Sequence, residues 1–165
     1  MSSLPETSPE PQMGILQRRR IEAEIIKPLY EEMKAAFGEA AAQGVIERAV
    51  KTAAIESGRQ FAAAAPDGPS IENFAAIQPL WTREDALRVE PLAQDAEHLE
   101  FNVTRCRYAE MYHAMGLGEI GHLLSCNRDG TFIEGYDPRI EMTRTQTIMQ
   151  GASHCDFRYR MRAKA

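Results

Sequence analysis

The residues of this 165-residue chain best suited to nucleophilic or acid–base chemistry are its three cysteines, Cys106, Cys126 and Cys155, its four histidines and a few carboxylates. Cys126 follows His122 by four positions, so on a helix the two share a face, and Asp129 comes just after. A thiolate nucleophile needs such a neighbouring base or a positive field to lower its pKa. The expected position of Cys126 at a helix C-terminus counts against it, because that end of the dipole disfavours an anion. Cys155 adjoins His154 in a strand-like run, where their side chains diverge, so Arg144 is its better partner. Cys106, Glu110 and His113 stand at i, i+4 and i+7. For each cysteine the competing reading is a small buried hydrophobe. Asp129 and Glu134 are further acid–base candidates, with a loop cap and a surface charge as the alternatives. No C-x-x-C or H-E-x-x-H spacing is present, so neither a metal nor any other cofactor is expected. P-loop, G-x-G-x-x-G and G-x-S-x-G motifs are also missing.

The stretch Ile140–Arg162 must position most of these groups, and it reads as a β-hairpin. Thr143, Thr145 and Thr147 alternate with Met142, Arg144, Gln146 and Ile148, and Gly151-Ala152 supplies the turn. On the second strand Cys155, Phe157, Tyr159 and Met161 share one face. A two-residue loop sets Ile148 opposite Cys155 and Arg144 opposite Tyr159; a four-residue loop moves the pairs along without changing faces. Met142, Ile148, Phe157 and Tyr159 are then buried together. Arg144, Gln146 and Cys155 lie on that face too, as a partly satisfied core row or as the floor of a ligand pocket.

Upstream, hydrophobic periodicity predicts a helix from about Met13 to Phe37, with Ile26, Leu29, Tyr30, Met33 and Phe37 as its stripe. Pro28 should kink or split it, and Gly38 should stop it. A second helix is expected over Glu39–Ala64, with Val45, Ile46, Ala49, Val50, Ala53 and Phe61 inward; Gly58 weakens its end. Ser70 caps a helix to about Leu80, and Thr82 with Asp85 suggests one more capped turn. Leu87–Leu92 and Leu99–Val103 read as strands joined around Gln94–Ala96, and Pro91 points to an edge. A helix from about Arg105 to Met115, a short one from Glu119 to Cys126, a loop over Asn127–Gly130 and the apolar pair Phe132-Ile133 complete the chain. The fold expected is α+β, with N-terminal helices on an antiparallel sheet of about four strands.

Residues 1–12, rich in Ser, Pro and Glu, read as a disordered tail, and 13–165 as one domain. The net charge of −5 argues against nucleic-acid binding, and Arg18-Arg19-Arg20, followed by Glu22 and Glu24, reads as a solvated helix face. No apolar run approaches transmembrane length, and an odd number of cysteines without a signal peptide points to reduced thiols in a cytoplasm. The helices are apolar over more of their circumference than one core requires, so a homo-oligomer is expected.

Thr143–Tyr159, together with Arg18–Tyr30, Phe101–Ala109 and Leu124–Asp129, resembles the L-2-amino-thiazoline-4-carboxylic acid hydrolase family. The likeness spans about Arg18 to Arg162. It implies a hydrolase that opens a small nitrogen-containing heterocycle, of thiazoline, hydantoin, lactam or cyclic imide type, to a carbamoyl or amino acid product. On that reading Cys126 or Cys155 attacks the ring carbon, or Asp129, Glu134 or a histidine such as His122 activates water. Arg144 clamps a substrate carboxylate with its planar fork. Gln146, Arg105, Cys106 and Tyr108 join it as substrate-binding candidates. The rival reading is a noncatalytic module that binds a small molecule in the same pocket.

Overall fold

The computed structural model describes residues 13–162, so the expected tail over 1–12 lies outside the described residues. Helix α1 (Ile15–Phe37) runs through Pro28 as one helix. Pro28 is exposed, so solvent can take the carbonyl left without its amide partner, and the helix does not split. Gly38, at φ 86°, ends α1 by donating to the Lys34 carbonyl and starts α2 (Glu39–Ala64) at once. Ala23 and Tyr30 are buried, with Ile26 and Met33 half-buried beside them. Leu29 and Phe37, expected inside, are 54% and 68% exposed. The inward face is centred on Ala23 and Tyr30, and Leu29 falls off it.

On α2 the buried row is Ala42, Ile46, Val50, Ala54 and Gly58, in steps of four. Of the residues expected inward, Ile46 and Val50 belong to it, whereas Val45, Ala49 and Ala53 are exposed. Gly58, a weak helix former, is what the packing requires. A Cβ there would overlap the Phe132 carbonyl oxygen and fall 2.7 Å from the Tyr136 nitrogen. Gly135 returns the contact, since its Cβ would stand 2.8 Å from the Ile55 carbonyl carbon. The two helices therefore cross backbone to backbone.

Helix α3 (Ile71–Ile77) has the expected Ser70 cap, whose hydroxyl accepts from the Asn73 amide at 3.0 Å. Thr82 does not cap. It ends the short α4 (Pro79–Thr82), and Glu84 and Asp85 follow with positive φ in a 3₁₀ turn.

The sheet is antiparallel, in the order β1 (Leu87–Gln94), β2 (His98–Cys106), β4 (Cys155–Met161), β3 (Ile140–Thr143). Pro91 lies on an edge strand, as expected. Leu99, Phe101 and Val103 face Tyr159, Phe157 and Cys155 across the central pair, and all six are buried. The opposite face is polar. Arg160 reaches Glu100 at 2.9 Å, and Arg158 donates to Asn102 Oδ1 at 3.1 Å. The fold is thus α+β, with helices over one face of a four-stranded sheet.

Two segments depart from expectation. The chain leaves β3 after Thr143, so Met142, not Arg144, sits opposite Tyr159. The Asp156 carboxylate accepts from the amides of Thr145 and Gln146 at 2.9 and 3.0 Å, and Thr147 caps a 3₁₀ turn over Ile148–Gln150. Side-chain acceptors thereby replace the ladder that the threonine alternation suggests. Cys155, Phe157 and Tyr159 keep their inward face, Met142 and Ile148 are half-buried, and Thr147 turns inward. The second departure is the supposed loop at Asn127–Gly130, which is the start of α6 (Asn127–Tyr136) and includes Phe132-Ile133. It follows directly on a π-helical turn, His122–Cys126. Helix α5 (Arg107–Ala114) begins two residues later than expected, because Arg105 and Cys106 end β2.

Candidate functional site

Between the helices and the inner face of the sheet lies a cavity of about 500 Å³, a size suited to a small molecule. One part of its wall is aromatic, built from Phe61, Phe74, Trp81, Phe101, Phe132, Phe157 and Tyr159. The other carries Arg19, Arg128, Arg144, Asp129, Ser125 and all three cysteines.

The π-turn sets up the polar part. Two arginines bond to its carbonyls: Arg128 Nε donates to Leu124 O at 2.8 Å, and an Arg144 amino group donates to Cys126 O at 3.0 Å. The other arm of Arg144 donates to Asp129 Oδ2 at 2.5 Å, and its guanidinium carbon lies 5.0 Å from the Phe157 ring centre. Both arms of the fork are occupied by groups of the protein itself. Burial raises the Asp129 pKa, and the nearby charges of Arg144, Arg128 and Arg19 offset this only in part.

All three thiols are held protonated. Burial and then the Asp129 charge push Cys126 up to about 12. Burial pushes Cys106 up to about 11 and raises Cys155. Cys106 also caps α5, its sulfur accepting from the Ala109 amide at 3.4 Å, and Cys155 accepts from the Ile148 amide at 3.2 Å. Alkylation of Cys106 and Cys126 by iodoacetamide at neutral pH should therefore run roughly a thousandfold slower than for free cysteine in the folded protein, and that of Cys155 should also be slowed. Intact mass against time measures this, and labelling at the free-thiol rate would contradict the desolvated environment.

Of the residues singled out from sequence, Cys106, Tyr108, Cys126, Asp129, Arg144 and Cys155 line the cavity. Tyr108 donates its hydroxyl to the Trp81 carbonyl at 3.2 Å. The others are elsewhere. His122 is half-buried and does not line the cavity, although Cys126, four residues on in the same π-turn, does. Glu134 is exposed. Gln146 donates to the His154 carbonyl at 2.9 Å. Arg105 is at the surface, bonded to Glu110 at 2.8 Å and Asp85 at 3.0 Å. Among the described residues, no three His, Cys, Asp or Glu side chains gather as metal ligands.

Sequence reasoning missed Arg19 and Arg128. Arg19, with a side chain only 15% exposed, holds both oxygens of Glu22 at 2.8 Å, and Arg128 approaches the same carboxylate at 3.5 Å. One carboxylate thus serves two guanidiniums, leaving the cavity wall net positive. The signal was present: Arg19, Ala23, Ile26 and Tyr30 follow helical spacing along the buried face.

Fold and cavity together define an α+β protein with a small-molecule-sized chamber between a helical layer and a sheet. The profile of the L-2-amino-thiazoline-4-carboxylic acid hydrolase family matches residues 18–159, and the chain belongs to that family. Among solved structures, it is similar to the phenol-responsive sensory domain of the transcription activator PoxR, determined with phenol. The identity is 18% and the TM-score 0.54, over 91% of this chain and 77% of that one. The search of curated proteins found no match. No helix among the described residues is long and apolar enough to cross a membrane.

Proposed function

We propose that the protein is a hydrolase opening a small, planar, nitrogen-containing ring that carries a carboxylate, with Asp129 as its acid–base group. The observation that carries this is a desolvated carboxylate, poised by Arg144, at the polar end of an aromatic cavity. The ring packs against the aromatic wall. Its carboxylate is held by Arg19 and Arg128, which share the single Glu22 carboxylate between them, whereas both arms of Arg144 are taken by Asp129 and the Cys126 carbonyl. Water attacks the electrophilic ring carbon and gives its proton to Asp129. The bond from that carbon to the ring heteroatom then breaks, the heteroatom takes the proton back from Asp129, and a carbamoyl or amino acid product forms. Family membership supports a hydrolase. The raised thiol pKa values favour activated water over a cysteine adduct.

A panel of thiazoline, hydantoin, lactam and cyclic imide carboxylates tests this. Turnover of one of them should fall about 10²–10⁴-fold in Asp129→Asn per folded molecule, as for loss of a general base. It should persist in Cys126→Ala and Cys155→Ala. Because the ionised carboxylate is the active form, kcat/KM should rise with pH through the elevated Asp129 pKa, giving an acidic limb above the usual carboxylate range near ~4. Loss of turnover in a cysteine variant, with a trapped adduct by intact mass, would restore the thiolate mechanism.

A noncatalytic binding module is the second reading. It is favoured by the protonated thiols, by the position of His122 outside the cavity and by the fold shared with a phenol-responsive sensory domain. Tight binding of a ring compound that raises Tm, with no turnover across the panel, would decide for it.

A further inference from the structure

Along the outer side of α1, opposite buried Ala23 and Tyr30, lie Arg18, Ile21, Ile25, Leu29 and Glu32. All are exposed, with Ile21 at 47%, Ile25 at 65% and Leu29 at 54%. At ~100° per residue these five fall within about 80° of arc. Their order reads alike in both directions about Ile25. Ile21 and Leu29 are four residues to either side, and Arg18 and Glu32 seven to either side with opposite charge. An antiparallel copy of the same helix, related by a two-fold axis through Ile25, sets Ile25 against itself, Ile21 against Leu29 and Arg18 against Glu32, twice over. Self-complementarity of this kind is what an isologous contact requires. Neither Arg18 nor Glu32 is in an ion pair among the described residues.

We infer that the outer face of α1 is the site of a two-fold dimer in which a second copy of this chain packs antiparallel across Ile25. The contact bears on the cavity as well. Arg18 is one of its lining residues, at the end of α1 where Gly14 and Ile15 also border it. Glu32 of the second copy would therefore stand beside the cavity of the first. The inference is independent of what the cavity binds or does.

The test uses the full chain and analytical ultracentrifugation at micromolar concentration, with circular dichroism as the check on folding. Wild type is expected to be a dimer and Ile25→Glu a folded monomer. Arg18→Glu and Glu32→Arg each create two like-charged contacts, and each should weaken pairing on the order of tenfold or more. Mixed in equal amounts, the two variants should dimerise again, because every charged contact is then attractive. R18E/E32R should also dimerise by itself. A monomeric full chain overturns the proposal, including the case where removal of residues 1–12 then permits pairing, since the occupant would be that segment. A dimer untouched by Ile25→Glu, or a variant mixture that fails to pair, overturns it too.

Discussion

Replacing Arg144 with methionine is expected to destabilise the protein by about 2–4 kcal/mol, measured by urea denaturation. That is somewhat below the usual cost of breaking a fully buried ion pair, because Asp129 keeps 30% of its side chain exposed. The loss has three sources. Asp129 remains as a half-buried carboxylate without its nearest cation, the Cys126 carbonyl loses its side-chain donor, and the guanidinium no longer covers the Phe157 ring. Removing the stranded charge should return part of the stability, so Arg144→Met with Asp129→Asn should be less destabilised than the sum of the two single changes. Strict additivity would mean that the pair does not stabilise the fold. Arg144→Lys keeps the charge but cannot bridge both acceptors, and should fall between wild type and the methionine variant.

Gly135→Ala is expected to cost about 3 kcal/mol or more, or to prevent folding, although glycine to alanine within a helix ordinarily gains about 1 kcal/mol. The added methyl would meet the Ile55 backbone, which cannot move without displacing α2. Gly58→Ala should act alike against the Phe132 carbonyl. Gly44→Ala, also on α2, is the control. Its Cβ would meet only the end of the flexible Arg48 side chain, 3.3 Å away, and the ordinary helical gain should appear. If Gly135→Ala were neutral in denaturant midpoint while Gly44→Ala stabilised, the close crossing of α2 and α6 would be wrong.

Much of the architecture was legible because it is written in local patterns. Alternation placed β2 and the inward row of β4, Ser70 announced its helix, and Pro91 announced an edge. The sequence was misleading where side chains bond to backbone. Thr143–Ile148 alternates like a strand, but Asp156 captures the Thr145 and Gln146 amides, and Thr147 caps the turn that follows by accepting from the Gln150 amide. Asn127–Gly130 has the composition of a turn but continues a helix, and Thr131 reaches back to the Asn127 carbonyl within it. For the cavity, Asp129, Arg144 and the cysteines were legible as reactive types. Their electrostatics were not, because the raised pKa values come from burial, which only the packing creates. His122 was misassigned because nothing in the local sequence announces the π-turn or shows which of its residues reach the cavity.

The borders of the sheet have a consequence beyond the fold of one chain. On one side, β1 carries Pro91 and two irregularities in its register; on the other, β3 is only four residues long. Strand-by-strand growth into fibrils needs a long, regular edge with free amides and carbonyls, and neither border supplies one. Heated or concentrated samples should accordingly lose solubility through exposed helix and cavity surface, as amorphous precipitate rather than ordered cross-β aggregate.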